Sequence, residues 1–375
     1  MKVIGKEVNF IGISKNNPRN GEGSFIKLKN GDIVFAYTEF YSDDGDDAGL
    51  ARISAIRSTD NGETWSKPYI LIDNDINSKN YMSVSFVRFQ NDSIGLFYLR
   101  KSLSESGGIY CMPYLLISDD ELITFSKPIE VISKNNYGYY VMINDGVIIC
   151  KNGDVICPLA KYEILTGGIL TKGGEICFFI SKDNGLTWEK TNVVLSSPYG
   201  DKKGYSEPGL YEYNDGSIWL YLRTAYGYQY SAYSTDKCQT FSEVRPNFCF
   251  SSPDSPMRVR KIANYTVAIS NPFAYNPLRK GVESWKSPKR TPLLCSISSN
   301  DGKDFITHDK TFADGEILGR NIKYFLLESD ESESYSYPSF IETDDGFLVA
   351  YYHSAGTAQG LSATRIKKVY FSEIE

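Results

Sequence analysis

Ser58-Thr-Asp-Asn-Gly-Glu-Thr-Trp65 is a short polar stretch closed by a tryptophan. It returns as Ser181-Lys-Asp-Asn-Gly-Leu-Thr-Trp188, in the frame Ser-x-Asp-x-Gly-x-Thr-Trp. Weaker copies keep part of the frame: Ser118 to Phe125, with Asp120 and Thr124; Ser234 to Phe241, with Asp236 and Thr240; and Ser298 to Phe305, with Gly302 and with Asn300 in place of the Asp. The copies start at 58, 118, 181, 234 and 298, so the steps are 60, 63, 53 and 64. A period of this size marks one supersecondary unit copied several times. The box itself is architectural. Its Asp carboxylate can accept backbone N–H bonds across the turn, its Gly supplies the tight bend, and its aromatic residue packs between strands. It resembles a calcium loop only superficially, because no copy supplies six or more oxygens with a bidentate Glu.

Outward from the boxes, Asn/Asp/Gly turns precede apolar strands at Asn30, Asn91, Asn152, Asn214, Ala263 and Asp344. Such turns tolerate positive φ and close tight hairpins. Each hairpin leads to another strand and then to a box turn, as in Arg52 to Arg57 before Ser58. Hairpin, strand, polar turn and strand make a four-stranded unit of roughly 60 residues, the size of a propeller blade. The expectation is one all-β domain over residues 1–375, a six-bladed β-propeller of four-stranded antiparallel blades. The last two hairpin turns lie 81 residues apart, which places an insertion in Asn271 to Lys289 or near Asp309 to Ser334. The sixth unit has no box, so the N-terminal strand (Lys2 to Ile11) or the C-terminal one is expected to complete it and close the ring. No window holds a helical period for four turns.

Composition narrows the function classes. The net charge of −6 argues against non-specific binding to nucleic acid or an anionic membrane. No run of 18 apolar residues is present, and Met1 to Asn20 lacks a charged-then-apolar leader, so the expected location is cytoplasmic. Seven Cys without a C-x-x-C pair, and only His308 and His353, make a zinc site or a disulfide framework a poor reading. No metal and no cofactor is expected. Nothing in the sequence speaks to oligomeric state.

Five such boxes in a six-fold propeller resemble the sialidase (neuraminidase) superfamily, from about Arg19 to Tyr352. The resemblance implies a carbohydrate substrate and a set of site residues. In Gly204-Tyr-Ser-Glu-Pro-Gly, Glu207 begins one strand and Arg223 ends its hairpin partner, at the same end of the hairpin. By resemblance Glu207 is the base that activates a tyrosine, and Arg223 binds the substrate carboxylate. The tyrosine is Tyr337 of Tyr-Pro-Ser-Phe, with Tyr335 as its competitor on the same face of a strand. A tyrosine nucleophile with a Glu base is the known exception to the two-carboxylate rule of glycosidases. Arg290 resembles the third family arginine, and a planar guanidinium suits bidentate capture of a carboxylate. The resemblance further implies a general acid at Asp46 or Asp47, 12 or 11 residues before the first box.

The chain departs from the family at Arg-Ile-Pro. By register the expected arginine falls near Gly21, with Glu22 beside it and Arg19 as the nearest substitute. A carboxylate there would repel an acidic sugar. In this respect the chain looks most like a bacterial group carrying Arg-Asn-x-Glu-Gly, Met-Ser-Val-Ser (82–85) and Ser-Pro-x-Ser-Pro (252–256). Asp145, Gln229, Asp254 and Asn271 are further candidates for reading sugar hydroxyls, and Tyr41, Tyr139, Tyr226 and Tyr228 for a wall against a sugar ring. The expected activity is a sialidase-like retaining exo-glycosidase that removes a terminal acidic sugar. The alternatives are a propeller glycosidase or lyase for a uronic or neutral sugar, with Glu22 or Asp145 recruited, and a non-catalytic carbohydrate-binding propeller.

Overall fold

A computed structural model describes residues 1–103, 108–163, 173–199, 204–272, 290–306, 321–357 and 360–375. Its strands fall into six successive groups. The first holds β2 (Arg19–Lys27), β3 (Ile33–Phe40), β4 (Ala51–Ser58) and β5 (Tyr69–Ile72), preceded in the chain by β1 (Lys6–Ile11). The second holds β6 (Asn80–Arg88), β7 (Ile94–Leu103), β8 (Ile109–Ser118) and β9 (Ile129–Glu130). The third holds β10 (Tyr139–Val141), β11 (Ile148–Ile149), β12 (Val155–Tyr162), β13 (Glu175–Ser181) and β14 (Glu189–Lys190). Next come β15 (Ser206–Glu212), β16 (Ile218–Arg223), β17 (Tyr228–Ser234) and β18 (Arg245–Ser251). The fifth group is β19 (Arg258–Ile262), β20 (Tyr265–Ser270), β21 (Leu293–Ser298) and β22 (Lys323–Glu328), and the sixth begins with β23 (Tyr335–Thr343), β24 (Gly346–His353) and β25 (Ala363–Tyr370). One helical turn, Phe371–Ile374, ends the chain.

Groups four, five and six form separate four-stranded antiparallel sheets, and β1 is the fourth strand of the last one. Both chain ends thus complete the sixth sheet, since β1 pairs with β25. Groups one to three differ from the expectation of separate units: they share one thirteen-stranded mixed sheet. The joins are narrow. Ala51 pairs in parallel with Asn80, and Tyr139 with Cys111. The expected insertions fall largely on 273–289 and 307–320, outside the described residues.

Apolar clusters tie each group to the next. Ile156 and Phe178 pack with Leu210 and Leu220, and Trp219 and Tyr221 with Val259 and Ala268. Val267 and Ile297 join Phe340 and Val349, and Leu348 and Ile366 return to Phe25 and Phe35 of the first group. The boxes sit at these seams. Asp60 accepts bonds from Ser58 Oγ (2.8 Å), Thr64 N (2.9 Å) and Thr64 Oγ1 (2.5 Å), and the copies at 118, 181 and 234 repeat the pattern. Gly62 has φ +87°, and a Cβ there would lie 2.6 Å from Leu348. In the fifth copy, where Asn300 replaces the Asp, Ser298 bonds Asp304 instead (2.6 Å).

One further repeat positions the site. Six non-glycine residues hold left-handed φ at matching places: Glu22 (52°), Ser83 (57°), Asp145 (59°), Glu207 (42°), Asp254 (57°) and Tyr337 (55°). Four of them sit where the pairing of β2, β6, β15 and β23 slips its register. A bulge re-aims the side chain it carries, and it persists only where the surroundings hold it. Two to five residues further along the chain, all six groups line one cavity of about 350 Å³, through Phe25, Phe86, Val147, Leu210, Val259 and Ile341. At 3.3 Å per residue of extended chain it lies at most roughly 7–17 Å from these six positions.

Candidate active site

Tyr337 donates its phenol proton to Glu207 Oε1 at 2.5 Å. Arg223 Nη1 donates to Glu207 Oε2 at 2.7 Å and to the Tyr337 oxygen at 3.1 Å, while its Nε donates to Asp254 Oδ1 at 2.9 Å. Arg290 Nη2 donates to the backbone carbonyl of Asp254 at 3.0 Å, and its guanidinium carbon lies 5.7 Å from the centre of the Tyr337 ring. Residues 207, 223, 254, 290 and 337 therefore meet in one cluster drawn from the fourth to sixth groups. Burial, and then the neighbouring Glu207 charge, hold the Tyr337 phenol well above its ordinary pKa. Burial and the adjacent Arg223 charge lower that of Arg290.

The other half comes mainly from the first group, with Ser83 of the second and Tyr352 of the sixth. Arg19 is buried, and its guanidinium bonds Tyr352 Oη (2.9 Å), Asp47 Oδ1 (2.6 Å), Glu22 Oε1 (2.7 Å) and the Gly45 carbonyl (3.3 Å). Ser83 Oγ donates to the second Glu22 oxygen at 2.6 Å. Burial raises the Glu22 pKa, against the pull of Arg19. Partial burial pushes Asp47 up, but the charges of Arg19 and Lys101 prevail and hold it below the usual carboxylate value. Its side chain remains 68% exposed, so solvent screens this pairing. The two halves touch: the Tyr337 and Tyr352 rings meet edge to face, 5.7 Å between centroids.

Residues 31–350 match the family described as BNR repeat-like domain. The chain belongs to the sialidase/BNR superfamily. A sialidase of Clostridium perfringens is 24% identical over 241 residues, 59% of this chain and 60% of that protein, so the chain spans about 60% of that relative's length. Among solved structures, a protein of unknown function from Dyadobacter fermentans has a TM-score of 0.71 at 18% identity, covering 97% of this chain and 99% of that one. The intramolecular trans-sialidase of Ruminococcus gnavus, solved with oseltamivir carboxylate, has a TM-score of 0.69 at 14% identity, covering 98% and 97%. At these identities the likeness is one of fold.

Several residues singled out in the sequence lie elsewhere in this superfamily member. Asp145 is buried in the framework, where it accepts Ser24 Oγ (2.7 Å) and Arg260 Nε (2.9 Å) and pairs with Arg258 (3.4 Å). Gln229 is also buried and holds the turn that carries Asp254, through Ser252 Oγ (3.0 Å) and the Ser255 carbonyl (2.6 Å). Asn271 bonds Ser255 Oγ and the Pro292 carbonyl. Asp46 is exposed, and among the described residues its carboxylate joins no part of the cluster. Tyr335 does not share a face with Tyr337: the intervening bulge sends it into the core beside Tyr351 and His353. Tyr352 and Ser83 were not foreseen. Gly21 carries the signal for Tyr352, because a Cβ there would lie 2.1 Å from that ring. The ring fills the space that the expected arginine would need.

Proposed function

We propose that the protein is a six-bladed β-propeller and a retaining exo-glycoside hydrolase that removes a terminal acidic sugar, sialic acid or a close relative. Packing that returns from the sixth strand group to the first, and a cavity lined by all six, support the propeller. The Tyr337–Glu207 bond at 2.5 Å, with Arg223 touching both partners, carries the catalytic reading.

In the proposed reaction Arg223 and Arg290 hold the substrate carboxylate. The Tyr337 oxygen bonds the anomeric carbon as its proton passes to Glu207. The bond to the leaving oxygen breaks, and that oxygen takes the proton of Asp47. Water, with Asp47 now as base, then displaces the tyrosine, which recovers its proton from Glu207. Because the phenol pKa is raised, attack and proton transfer go together, without a standing phenolate. Release of free sialic acid from a fluorogenic sialoside tests the activity. Tyr337→Phe should lower kcat by about 10³-fold or more with an unchanged melting temperature. An undiminished rate in that variant would remove Tyr337 from the chemistry.

One observation favours a second reading. Arg19 is committed to Glu22 and Asp47, and Tyr352 fills the place beside Gly21, so two arginines rather than three face an acidic group. This suits a uronic or other acidic sugar. A hydrolase would release it intact, whereas a lyase would leave an unsaturated product absorbing in the ultraviolet.

A further inference from the structure

The connection between β3 and β4, which carries Asp47, rests on two strands that supply no other polar side chain to the catalytic cluster than Ser83. Asn80 opens β6, and Lys101 lies directly across from it in β7. Asn80 Nδ2 donates to the carbonyls of Asp47 (2.7 Å) and Gly49 (3.0 Å), and Lys101 Nζ donates to the same Asp47 carbonyl (2.5 Å). The backbone converges there as well, through the Ala51–Asn80 pairing. Lys101 is 3% exposed, and among the described residues no carboxylate forms an ion pair with it. Its ammonium also lies 5.9 Å from the centre of the Tyr139 ring. Besides its pull on the Asp47 carboxylate, the ammonium has one hydrogen bond among the described residues, to the Asp47 carbonyl; a buried ammonium so sparsely partnered is unfavourable, and an apolar side chain of similar length would pack there without that penalty. The placement therefore points to what the ammonium grips.

We infer that Lys101 and Asn80 are positioning residues that clamp the Asp47 segment in place for proton donation to the leaving group. The inference rests on the reading of Asp47 as the general acid. Arg19 fixes the carboxylate from one side, while Lys101 and Asn80 fix the backbone from the other. The clamp matters most when the leaving oxygen needs a proton.

The experiment compares Lys101→Met, Lys101→Arg and Asn80→Ala with the parent protein on two sialosides. One carries a methylumbelliferyl group, which departs with little protonation, and the other a lactose unit, which needs it. Lys101→Met should lose about 10²-fold more kcat on the lactoside than on the activated substrate. Lys101→Arg should recover part of that difference, and Asn80→Ala should show it in weaker form. In parallel, limited proteolysis within residues 41–50 should accelerate in Lys101→Met and Asn80→Ala at a temperature where both remain folded. Equal losses on both substrates would overturn the positioning role, and so would an unaltered rate of cleavage in 41–50. If the parent protein turns over neither sialoside, the functional reading falls, and the proteolysis alone decides whether the clamp exists.

Discussion

At the scale of single residues, Asp47 and Asp46 separate by surroundings rather than by type. Asp47 is drawn to Arg19 at 2.6 Å, and its pKa is lowered although partial burial works the other way. In its proposed role as general acid Asp47 must carry its proton, so the unliganded protein would hold it mostly in the wrong state at neutral pH. The sign follows: as pH falls toward its depressed pKa, the protonated fraction grows. On a lactoside, kcat/KM should rise as pH falls from about 7 to 5, whereas an activated substrate should show a shallower slope. Asp47→Asn should cost about 10²- to 10⁴-fold on the lactoside, and Asp46→Asn should change little. A flat lactoside profile, or equal effects of the two substitutions, would count against Asp47. In stability terms a lowered carboxylate pKa helps above the unfolded value, about 3.9, and that help fades as pH falls through the folded value. The 68% exposure of Asp47 keeps this contribution small.

At the scale of elements, the bulges decide where side chains go. Gly21 precedes the slip in β2 and lies under the Tyr352 ring, where an added Cβ would sit 2.1 Å from a ring carbon. Tyr352 in turn bonds Arg19. Gly21→Ala should therefore cost about 1–3 kcal/mol. Because the cost arises from one neighbour, a double-mutant cycle with Tyr352→Ala should show strong non-additivity. Additive effects on the melting temperature would mean that the clash is relieved by some other route. This element also shows what a sequence can tell. Hairpins and boxes are readable because Asn-Gly turns and Ser–Asp–Thr bonds are local chemistry. The pairing of Glu207 with Arg223 is readable because hairpin spacing sets it. Left-handed φ at Glu22, Ser83 and Tyr337 is not local: neighbouring strands impose it, and strand alternation then puts Tyr335 beside Tyr337 on paper while the structure sends it into the core. Asp145 was misplaced for a related reason. It shares the left-handed φ of Glu207, but Arg258 and Arg260 from another group neutralise it, and only the fold brings those arginines near.

At the scale of the molecule, the candidate cluster depends on distant groups of one chain being held in register. Arg19 comes from the start, Glu207 from the middle and Tyr337 from near the end. The N-terminal segment adds to the join between the sixth sheet and its neighbours. Ile4 bonds the backbone of Leu326 in β22, β1 pairs along β25, and Ile4 and Ile11 are buried in two different apolar clusters. Arg365 of β25 adds an ion pair to Glu7. Removing residues 1–11 would expose the edge of β25, and an open strand edge invites pairing with other chains. Loss of the two isoleucines alone amounts to roughly 3–6 kcal/mol. The shortened chain should melt well below the parent and scatter light on heating, and any residual turnover should be lost at that lower transition. Since β1 contributes nothing to the cluster itself, kcat measured below the transition should stay near the parent value. A truncated chain that melts at the parent temperature would show that β1 is an attachment, and that the other strands hold the sixth sheet against the first group without it.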